Sequence, residues 1–471
     1  MAKVTESTLT QWVNRHVWLE GCELETEYLQ AQDEGRDLSS VEDEFQRLLA
    51  LKVPAGWGKR LGGQRDERWL AQAGALIDQV QSLPMRADYK YVEPSDLAGI
   101  QAARGKKVKL PAFKGSKAAY LERLHGGWLG RICGCLLGKP VEGWRKRQIE
   151  AVAKAVGNWP LQDYFSLPSK AAGKKLERTF EKWHHYAMKG LINGMVEDDD
   201  TNYTTTGFAV VKDKGADFSP LDVASFWGQN IPIFHTCTAE RVAYRNLMSL
   251  IVPPASATYR NPYREWIGAQ IRADYFGYAN PGDPARAAEW AWRDAMISHI
   301  KNGIYGEMWA AAMIAAAFAE EDYTTIIRAG LAQVPAQSRL VEDIEAIIAA
   351  QQAGKTYEEV VALITTQWDE NKSHHWCHTN SNAQIVAAAL LFGQGDYTRT
   401  TCLAVMPGFD TDCNGATAGS VWGVVNGVKA LPKKWTGPVK DTIRTGVAGY
   451  HETKISAMAK EMAEVAWKLR R

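Results

Sequence analysis

Residues 126–138 read Gly-Gly-Trp-Leu-Gly-Arg-Ile-Cys-Gly-Cys-Leu-Leu-Gly, and a glycine returns at every fourth position from Gly126 onward. A second stretch has the same spacing, with glycines at 415, 419, 423 and 427. Each glycine inside a helix costs about 0.8–1 kcal/mol relative to alanine, so four of them need an offsetting gain. Glycines at i and i+4 share one helix face, where another backbone or a ligand can approach closely. The two stretches therefore predict two helices with such glycine faces.

The rest of the chain also has helical patterns. From Ala119 onward, Ala, Leu, Met and Trp recur at helical spacing and alternating β-branched runs are scarce, so we predict a mainly α-helical body. Two charged segments, 41–51 and 67–83, predict helices in an N-terminal extension. The basic residues 104–109 then predict a solvated linker. We expect two parts, an extension with its linker over residues 1–118 and a body over residues 119–471.

One segment, 217–283, lacks this helical pattern. It is rich in aromatic residues, Asn and Pro, as in Pro253-Pro254 and Tyr259-Arg-Asn-Pro-Tyr263. Long irregular connections of this kind are usually lids or loops that face a substrate. We expect such loops here.

Charge and hydropathy argue against several classes of partner. Lys+Arg 55 against Asp+Glu 54 gives a net charge of +1, which is no signature of nucleic-acid or membrane binding. The longest apolar run, 308–318, is too short to cross a bilayer, and charged residues interrupt the first glycine stretch. The sequence predicts a small-molecule or modified-protein partner, no nucleic acid and no membrane, and it leaves the oligomeric state open.

The cysteines and the beginning of the chain indicate a compartment. Seven cysteines without paired Cys-x-x-Cys spacing favour reduced thiols over a disulfide framework. Residues 1–12 have no apolar run of the kind found in a signal peptide. We expect a cytoplasmic protein.

Two acidic clusters each precede a helix of small residues. The first is Glu197-Asp-Asp-Asp-Thr201, and the second is Pro407-Gly-Phe-Asp-Thr-Asp-Cys-Asn-Gly415. One aspartate suffices to cap a helix, so the four carboxylates of the first cluster exceed what capping needs. Crowded carboxylates raise one another's pKa unless a cation neutralises them, and hard divalent ions prefer oxygen ligands. The pair predicts a metal site, although the second motif alone also fits a cap, a turn, a nucleotide-sugar transferase or a phosphoryl-transfer aspartate.

These motifs resemble those of the ADP-ribosylglycohydrolase family. The family's first element is similar to residues 126–142, its Thr-Asp-Asp-Thr to residues 198–201, and its Gly-x-Asp-Thr-Asp-Thr/Ser to residues 408–413. Segments 298–306 and 378–382 match as well, and the similarity covers roughly residues 119–430. The resemblance implies an all-α fold, a compact orthogonal helical bundle with the extension attached. It also implies a metal-dependent glycosidase that cleaves the bond at ribose C1 of an ADP-ribosylated protein side chain or a small ADP-ribosyl compound.

The resemblance also assigns roles to residues of this chain. The implied metal ligands or their neighbours are Asp198, Asp199, Asp200, Thr201, Asp410, Asp412 and Cys413. The implied catalytic residues are Asp199, Asp200 and Glu142. The implied substrate-binding residues are Glu142, His299, Asn302, Tyr305, Gly306, His378, Asn382 and Gly408. The implied cofactor is Mg²⁺, as one or two ions, with Mn²⁺ or Ca²⁺ as alternatives.

Three positions differ from the family pattern. Cys135 stands where the family usually has Asp, Asp198 replaces a Thr ligand, and Cys413 replaces a hydroxyl ligand of the second metal. A thiol is a soft, poor ligand for Mg²⁺. We therefore expect a metal centre that resembles the family's binuclear site but has a weakened second position.

The residues alone leave other interpretations open. Glu142 fits a surface charge at a helix end, His299 a buried core histidine, and Tyr305 a packed ring. The tract His374-His-Trp-Cys-His378 invites a zinc site but lacks a second ligand pair. For the whole protein, the alternatives are a hydrolase of a free nucleoside or other small N-riboside, and a catalytically silent ligand-binding homologue.

Overall fold

The computed structural model describes Trp18 and residues 23–51 and 67–470 and is helical almost throughout. Within these residues, the strands are β1 (Thr442–Arg444) and β2 (Glu452–Lys454), which form one short antiparallel pair. The prediction of an all-α protein is confirmed. Our expectations for residues 1–17, 19–22 and 52–66 lie outside the described residues.

The N-terminal extension is helical, as its charged, amphipathic segments predict. Its helices are α1 (Leu24–Asp33), α2 (Glu42–Ala50), α3 (Glu67–Val80) and α4 (Leu97–Ala103). The first three build a small apolar core of their own, which includes Phe45 and Ile77. Residues 105–115 then have no helix or strand.

Buried ion pairs attach this extension to the body. Arg264, fully buried, donates to Glu27 at 2.6 Å and also pairs with Glu34, so two extension carboxylates share one guanidinium of the body. Glu93 of the extension likewise pairs with Arg339 of the body, with 2.9 Å between the carboxylate oxygen and the guanidinium nitrogen. Removing one partner of a buried pair leaves an uncompensated charge, so each pair binds the two parts tightly together.

Two helices with glycine faces pack against each other, α5 (Lys117–Gly138) and α21 (Thr411–Asn426). A Cβ at Gly126 would collide with the carbonyl oxygen of Gly423. In the same way, a Cβ at Gly130 would collide with that of Gly419, and a Cβ at Gly134 with that of Gly415. The order of these contacts shows that the two helices are antiparallel. The predicted close approach along the glycine faces is confirmed, and the group that approaches each face is the backbone of the other helix rather than a ligand. The C-terminal end of α5 consequently meets the N-terminal end of α21.

The other helices of the body surround this pair. In chain order they are α6 (Lys146–Ala155), α7 (Lys170–Gly173), α8 (Asp199–Lys214), α9 (Pro220–Asn230), α10 (Thr238–Met248), α11 (Ala255–Thr258), α12 (Asp274–Tyr278), α13 (Pro284–Ala295), α14 (Lys301–Ala317), α15 (Tyr323–Leu331), α16 (Arg339–Gln352), α17 (Tyr357–Gln367), α18 (Ser373–Cys377), α19 (Thr379–Phe392), α20 (Tyr397–Val405), α22 (Lys433–Thr436) and α23 (Ile455–Leu469). Helix α14, with its alanine-rich run, is buried after its first residue. In the described part of the chain, every helix is too short or too polar to cross a membrane.

Segment 217–283 contains helices and a buried stretch, so it is not the continuous run of loops that we expected. Ser219 caps α9 in a reciprocal capping box with Asp222, so a helix begins within the segment that lacks a helical sequence pattern. Residues 261–280 are buried, apart from the half-buried Gly268. Many of the aromatic residues of this segment belong to the core, among them Trp227, Tyr263 and Phe276, whereas Tyr259 is exposed.

Candidate functional site

The first acidic cluster lies at the start of α8, a polar helix that is nevertheless buried. Asp198 is the N-cap, and its Oδ1 accepts a hydrogen bond from the Asp200 amide at 2.9 Å. Thr204 and Thr205 donate their hydroxyl protons to carbonyls one turn earlier, at 3.1 and 2.8 Å. The hydroxyls of these two buried threonines therefore have hydrogen-bond partners within the helix. The aspartates lie at the N-terminal end of the helix, where its dipole is positive.

The second cluster lies at the start of α21, after a tight turn. Gly408 and Phe409 have φ angles of +83° and +60°, which turn the chain before Asp410. Asn382 holds this turn because its Oδ1 accepts hydrogen bonds from the Asp410 amide at 3.0 Å and from Asn414 Nδ2 at 2.8 Å. Of the residues that the resemblance assigns to substrate, Asn382 and Gly408 thus lie at the aspartates and shape the backbone there.

The two clusters meet. One ligand atom each of Cys135, Asp198, Asp200 and Asp412 lie within 4.8 Å of one another, and Asp410, Asp412 and Cys413 form a second such group. Among the described residues, no hydrogen-bond partner reaches Asp200 Oδ2 or Asp412 Oδ1, although both atoms are buried. A buried carboxylate oxygen without a partner is costly. A divalent cation that prefers oxygen would satisfy both atoms, so this donor set fits the predicted metal.

Two basic side chains that we did not single out as site residues from the sequence also reach the site. Arg131 is fully buried and donates to Asp200 Oδ1 at 2.8 Å, while its other nitrogen lies 2.8 Å from Asp274. Lys139 forms an ion pair with Asp198. Arg131, Cys135 and Lys139 follow one another at every fourth position, and this spacing was the available sequence signal for one helix face.

Charge crowding shifts the acid–base behaviour of the cluster. Burial, with the nearby charges of Asp198 and Asp412, raises the pKa of Asp199 to about 7. Burial likewise raises the pKa of Asp200 and Asp410 well above the usual range. Asp198 is the exception, because Lys139 outweighs the effect of burial and lowers its pKa.

The neighbouring thiols are neutral. Burial raises the pKa of Cys135 and Cys413 well above the usual value, and nearby aspartate charges add to this effect. Cys377 donates its S–H to Asp410 Oδ2 at 3.8 Å. The six cysteines of the described residues form no disulfide, as predicted, whereas Cys22 lies outside those residues.

Glu142 lies where the site meets solvent. It follows the short 3-10 turn Lys139–Val141 at the end of α5 and is exposed. Repulsion from Asp412 is the largest cause that raises the pKa of Glu142, and desolvation adds to it. Glu142 is therefore a solvent-accessible carboxylate close to the buried ones.

Two other predicted substrate residues, Asn302 and His378, lie close to Glu265, which the sequence analysis did not single out. Asn302 donates to Glu265 at 3.1 Å and to Glu93 at 2.8 Å. Tyr305 donates its hydroxyl to the carbonyl of Pro94. His378 Nε2 lies 3.8 Å from Glu265. Asn302 and Tyr305 thus contact the N-terminal extension, whereas His378 contacts Glu265 within the body.

The two remaining predicted substrate positions are also packed in the interior. His299 is buried beside Ser298, with 2.8 Å between Ser298 Oγ and His299 Nδ1. Gly306 faces Thr379, whose side chain a Cβ at this position would strike. The glycine therefore permits a close helix contact.

The His374–His378 tract forms hydrogen bonds that explain its histidines without zinc. His374 Nδ1 accepts from Trp266 Nε1 at 3.0 Å, and His378 Nδ1 accepts from the Asn380 amide at 3.0 Å. Each neutral ring then carries its proton on Nε2, and His374 Nε2 lies 2.9 Å from Asp33. A protonated nitrogen cannot bind zinc, so this tract serves as a contact with α1.

Comparison with known proteins agrees with the resemblance. The sequence model of the family described as ADP-ribosylglycohydrolase matches residues 116–469. No curated protein matches the chain in sequence. Among solved structures, a chain titled "ADP-ribosylglycohydrolase-related protein complex" is 15% identical, with a TM-score of 0.44, and the match covers 75% of this chain and 99% of that one. The family match spans most of the chain, and the protein belongs to the ADP-ribosylglycohydrolase family.

Proposed function

We propose that the protein is a metal-dependent hydrolase that cleaves the glycosidic bond at ribose C1 of an ADP-ribosylated side chain or a small ADP-ribosyl compound. Family membership supports a glycohydrolase that acts on ADP-ribosyl compounds. The observation that carries the metal dependence is the pair of buried carboxylate oxygens, Asp200 Oδ2 and Asp412 Oδ1, without hydrogen-bond partners in the described structure. Such atoms are expected where a cation completes a site.

The proposed ligands are carboxylates from both clusters, Asp199, Asp200, Asp410 and Asp412. Thr201 lies beside them, but its hydroxyl donates to the Asp198 carbonyl at 3.1 Å. Oxygen donors favour Mg²⁺, and Mn²⁺ and Ca²⁺ suit the same donors. When bound, the ion would supply Lewis acidity and orient the ribose hydroxyls.

Side chains of the protein would position the ligands and transfer a proton. Arg131 fixes the carboxylate of Asp200, and Asn382 fixes the turn that carries Asp410, so both loops are held before a substrate arrives. Glu142 is the exposed carboxylate and is our candidate for the group that moves a proton during cleavage. Rupture at C1 passes through an oxocarbenium-like state, which nearby carboxylates stabilise.

The test combines binding and turnover. In the presence of Mg²⁺, we expect ADP-ribose to raise the melting temperature more than free nucleosides do, and an ADP-ribosylated peptide to release ADP-ribose, as measured by chromatography. Asp412→Asn should abolish this release. Asp396→Asn is the matched control, because Asp396 caps α20 away from the site and Asn caps a helix equally well.

Two results would favour the alternatives. Preferential stabilisation and cleavage of a nucleoside would identify a hydrolase of small N-ribosides. Ligand binding without turnover of either substrate would identify a catalytically silent homologue.

A further inference from the structure

Lys139 enters the aspartate site because of how α5 ends. The preceding residue, Gly138, packs so closely on the backbone of Thr411 that a Cβ there would strike the Thr411 carbonyl. Lys139 is the C-cap of α5 and lies beside the start of α21. The glycine contact therefore fixes where the lysine side chain begins, and its ammonium reaches Asp198.

Asp198 has both of its oxygens engaged by the protein. Oδ2 pairs with the Lys139 ammonium, and Oδ1 accepts the Asp200 amide proton at 2.9 Å. Its side chain is fully buried, and that of Lys139 is 15% exposed. An ammonium and a divalent ion cannot both take the same buried carboxylate oxygen without strong repulsion.

Asp200 and Asp412 differ from Asp198 in having one carboxylate oxygen each without a hydrogen-bond partner among the described residues. Asp200 gives Oδ1 to Arg131, but its Oδ2 has no hydrogen-bond partner among the described residues, and neither has Asp412 Oδ1. The cluster thus has one carboxylate that a protein cation neutralises and two that present unpaired oxygen. Asp200 and Asp412 thus retain free oxygen atoms for one divalent ion.

The nearby side chains do not favour a second ion. Cys135 lies in the same 4.8 Å group as Asp198, and Cys413 lies beside Asp410 and Asp412. Sulfur is a soft donor and a poor ligand for hard divalent ions. With Lys139 on Asp198, a second ion beside Asp198 would meet a paired carboxylate and the soft Cys135, whereas loss of Lys139 would free Asp198 Oδ2 as an oxygen ligand.

We propose that the Lys139 ammonium takes the place of one of the two metal ions, so that the protein binds a single divalent ion between Asp200 and Asp412. This inference rests on the proposed metal dependence and extends it to the number of ions. Lys139 is thus a positioning residue, and its ammonium serves as one of the two cations. Asp198 holds Lys139 and is not a ligand of the remaining ion.

The experiment counts metal ions in the full chain. After equilibrium dialysis against Mn²⁺, elemental analysis should find one tightly held ion per chain in the wild type, and its electron paramagnetic resonance spectrum should show no coupling between ions. Lys139→Met removes the ammonium and keeps the length of the side chain, so we expect a second ion and a coupled signal. Lys189→Met is the matched control, because Lys189 pairs with Asp163 at the surface, 2.6 Å away, and its loss should leave the count at one.

Asp198→Asn tests the same inference without touching the lysine, and Asn preserves the helix cap. We expect this variant to keep one ion. Loss of that ion would overturn the inference, and so would two ions in the wild type or one ion in a folded Lys139→Met variant. If the wild type binds no Mn²⁺ at all, the proposed metal dependence fails as well, whereas a count of two refutes only the role of Lys139.

Discussion

The backbones of Gly134 and Gly415 are in contact, because a Cβ on either residue would strike the carbonyl oxygen of the other. This contact and its neighbours along α5 and α21 hold the two helices closer than side chains would permit. The same packing brings Lys139 and Glu142, at the end of α5, to Asp410 and Asp412. The glycine faces therefore serve the site as well as the core.

Gly134→Ala tests this relationship. The added methyl group meets backbone, which cannot rotate away as a side chain can, so the helices must separate. We expect a loss of about 1–3 kcal/mol in the free energy of unfolding, as for other overpacked cores, measured by chemical denaturation. Gly173→Ala is the control, because Gly173 lies in α7 and a Cβ there would make only ordinary contacts, the nearest 3.6 Å from Thr179 Oγ1. Equal stability of Gly134→Ala and the wild type would contradict the steric argument.

A second variant tests how the extension is attached. Arg264→Met removes the cation that Glu27 and Glu34 share. Glu27 then loses its ion-pair partner in the buried interior, whereas Glu34 keeps Arg36 at 3.7 Å and Lys301 at 3.6 Å. Breaking a buried pair costs about 3–5 kcal/mol, so we expect a loss of this size in a denaturation experiment. Arg47→Met should cost less than about 1 kcal/mol, because the Arg47–Glu44 pair is exposed. Similar losses from the two variants would show that the buried pairs do not hold the extension.

The sequence predicts those features whose causes are local. Glycine spacing shows which helix faces can meet, and crowded aspartates before a helix indicate a cation. It fails where the partner is distant, because Glu265 gathers Asn302 and His378 only after α14 and α19 have packed. It also fails where composition misleads, as in segment 217–283, where Ser219 and Pro220 begin a helix that the composition does not indicate.

The pH dependence of metal binding follows from Asp199. Burial and neighbouring charges raise its pKa to about 7, so this carboxyl holds a proton below that pH and must release it to bind a cation. Affinity for Mn²⁺ should therefore rise with pH through about 7, by up to about tenfold per pH unit for each proton displaced. Calorimetry over this range measures the trend.

Two controls accompany that titration. Buffers with different heats of ionisation should give different binding heats, because protons leave the protein as the ion binds. Asp199→Asn, which has no proton to release, should have a shallower dependence than the wild type. The same affinity at every pH would show that the aspartates are already ionised without the metal.

The last prediction concerns Arg131, whose guanidinium lies 2.8 Å from both Asp200 and Asp274. Arg131→Met leaves these two fully buried carboxylates without their shared cation, which should destabilise the metal-free protein by about 3–5 kcal/mol. Adding Asn at 274 removes one of the two charges, so Arg131→Met/Asp274→Asn should be more stable than Arg131→Met alone. Arg147→Met, which breaks an exposed pair with Glu177, should change stability little. A double variant less stable than Arg131→Met would show that packing around Arg131, rather than charge, dominates at this position.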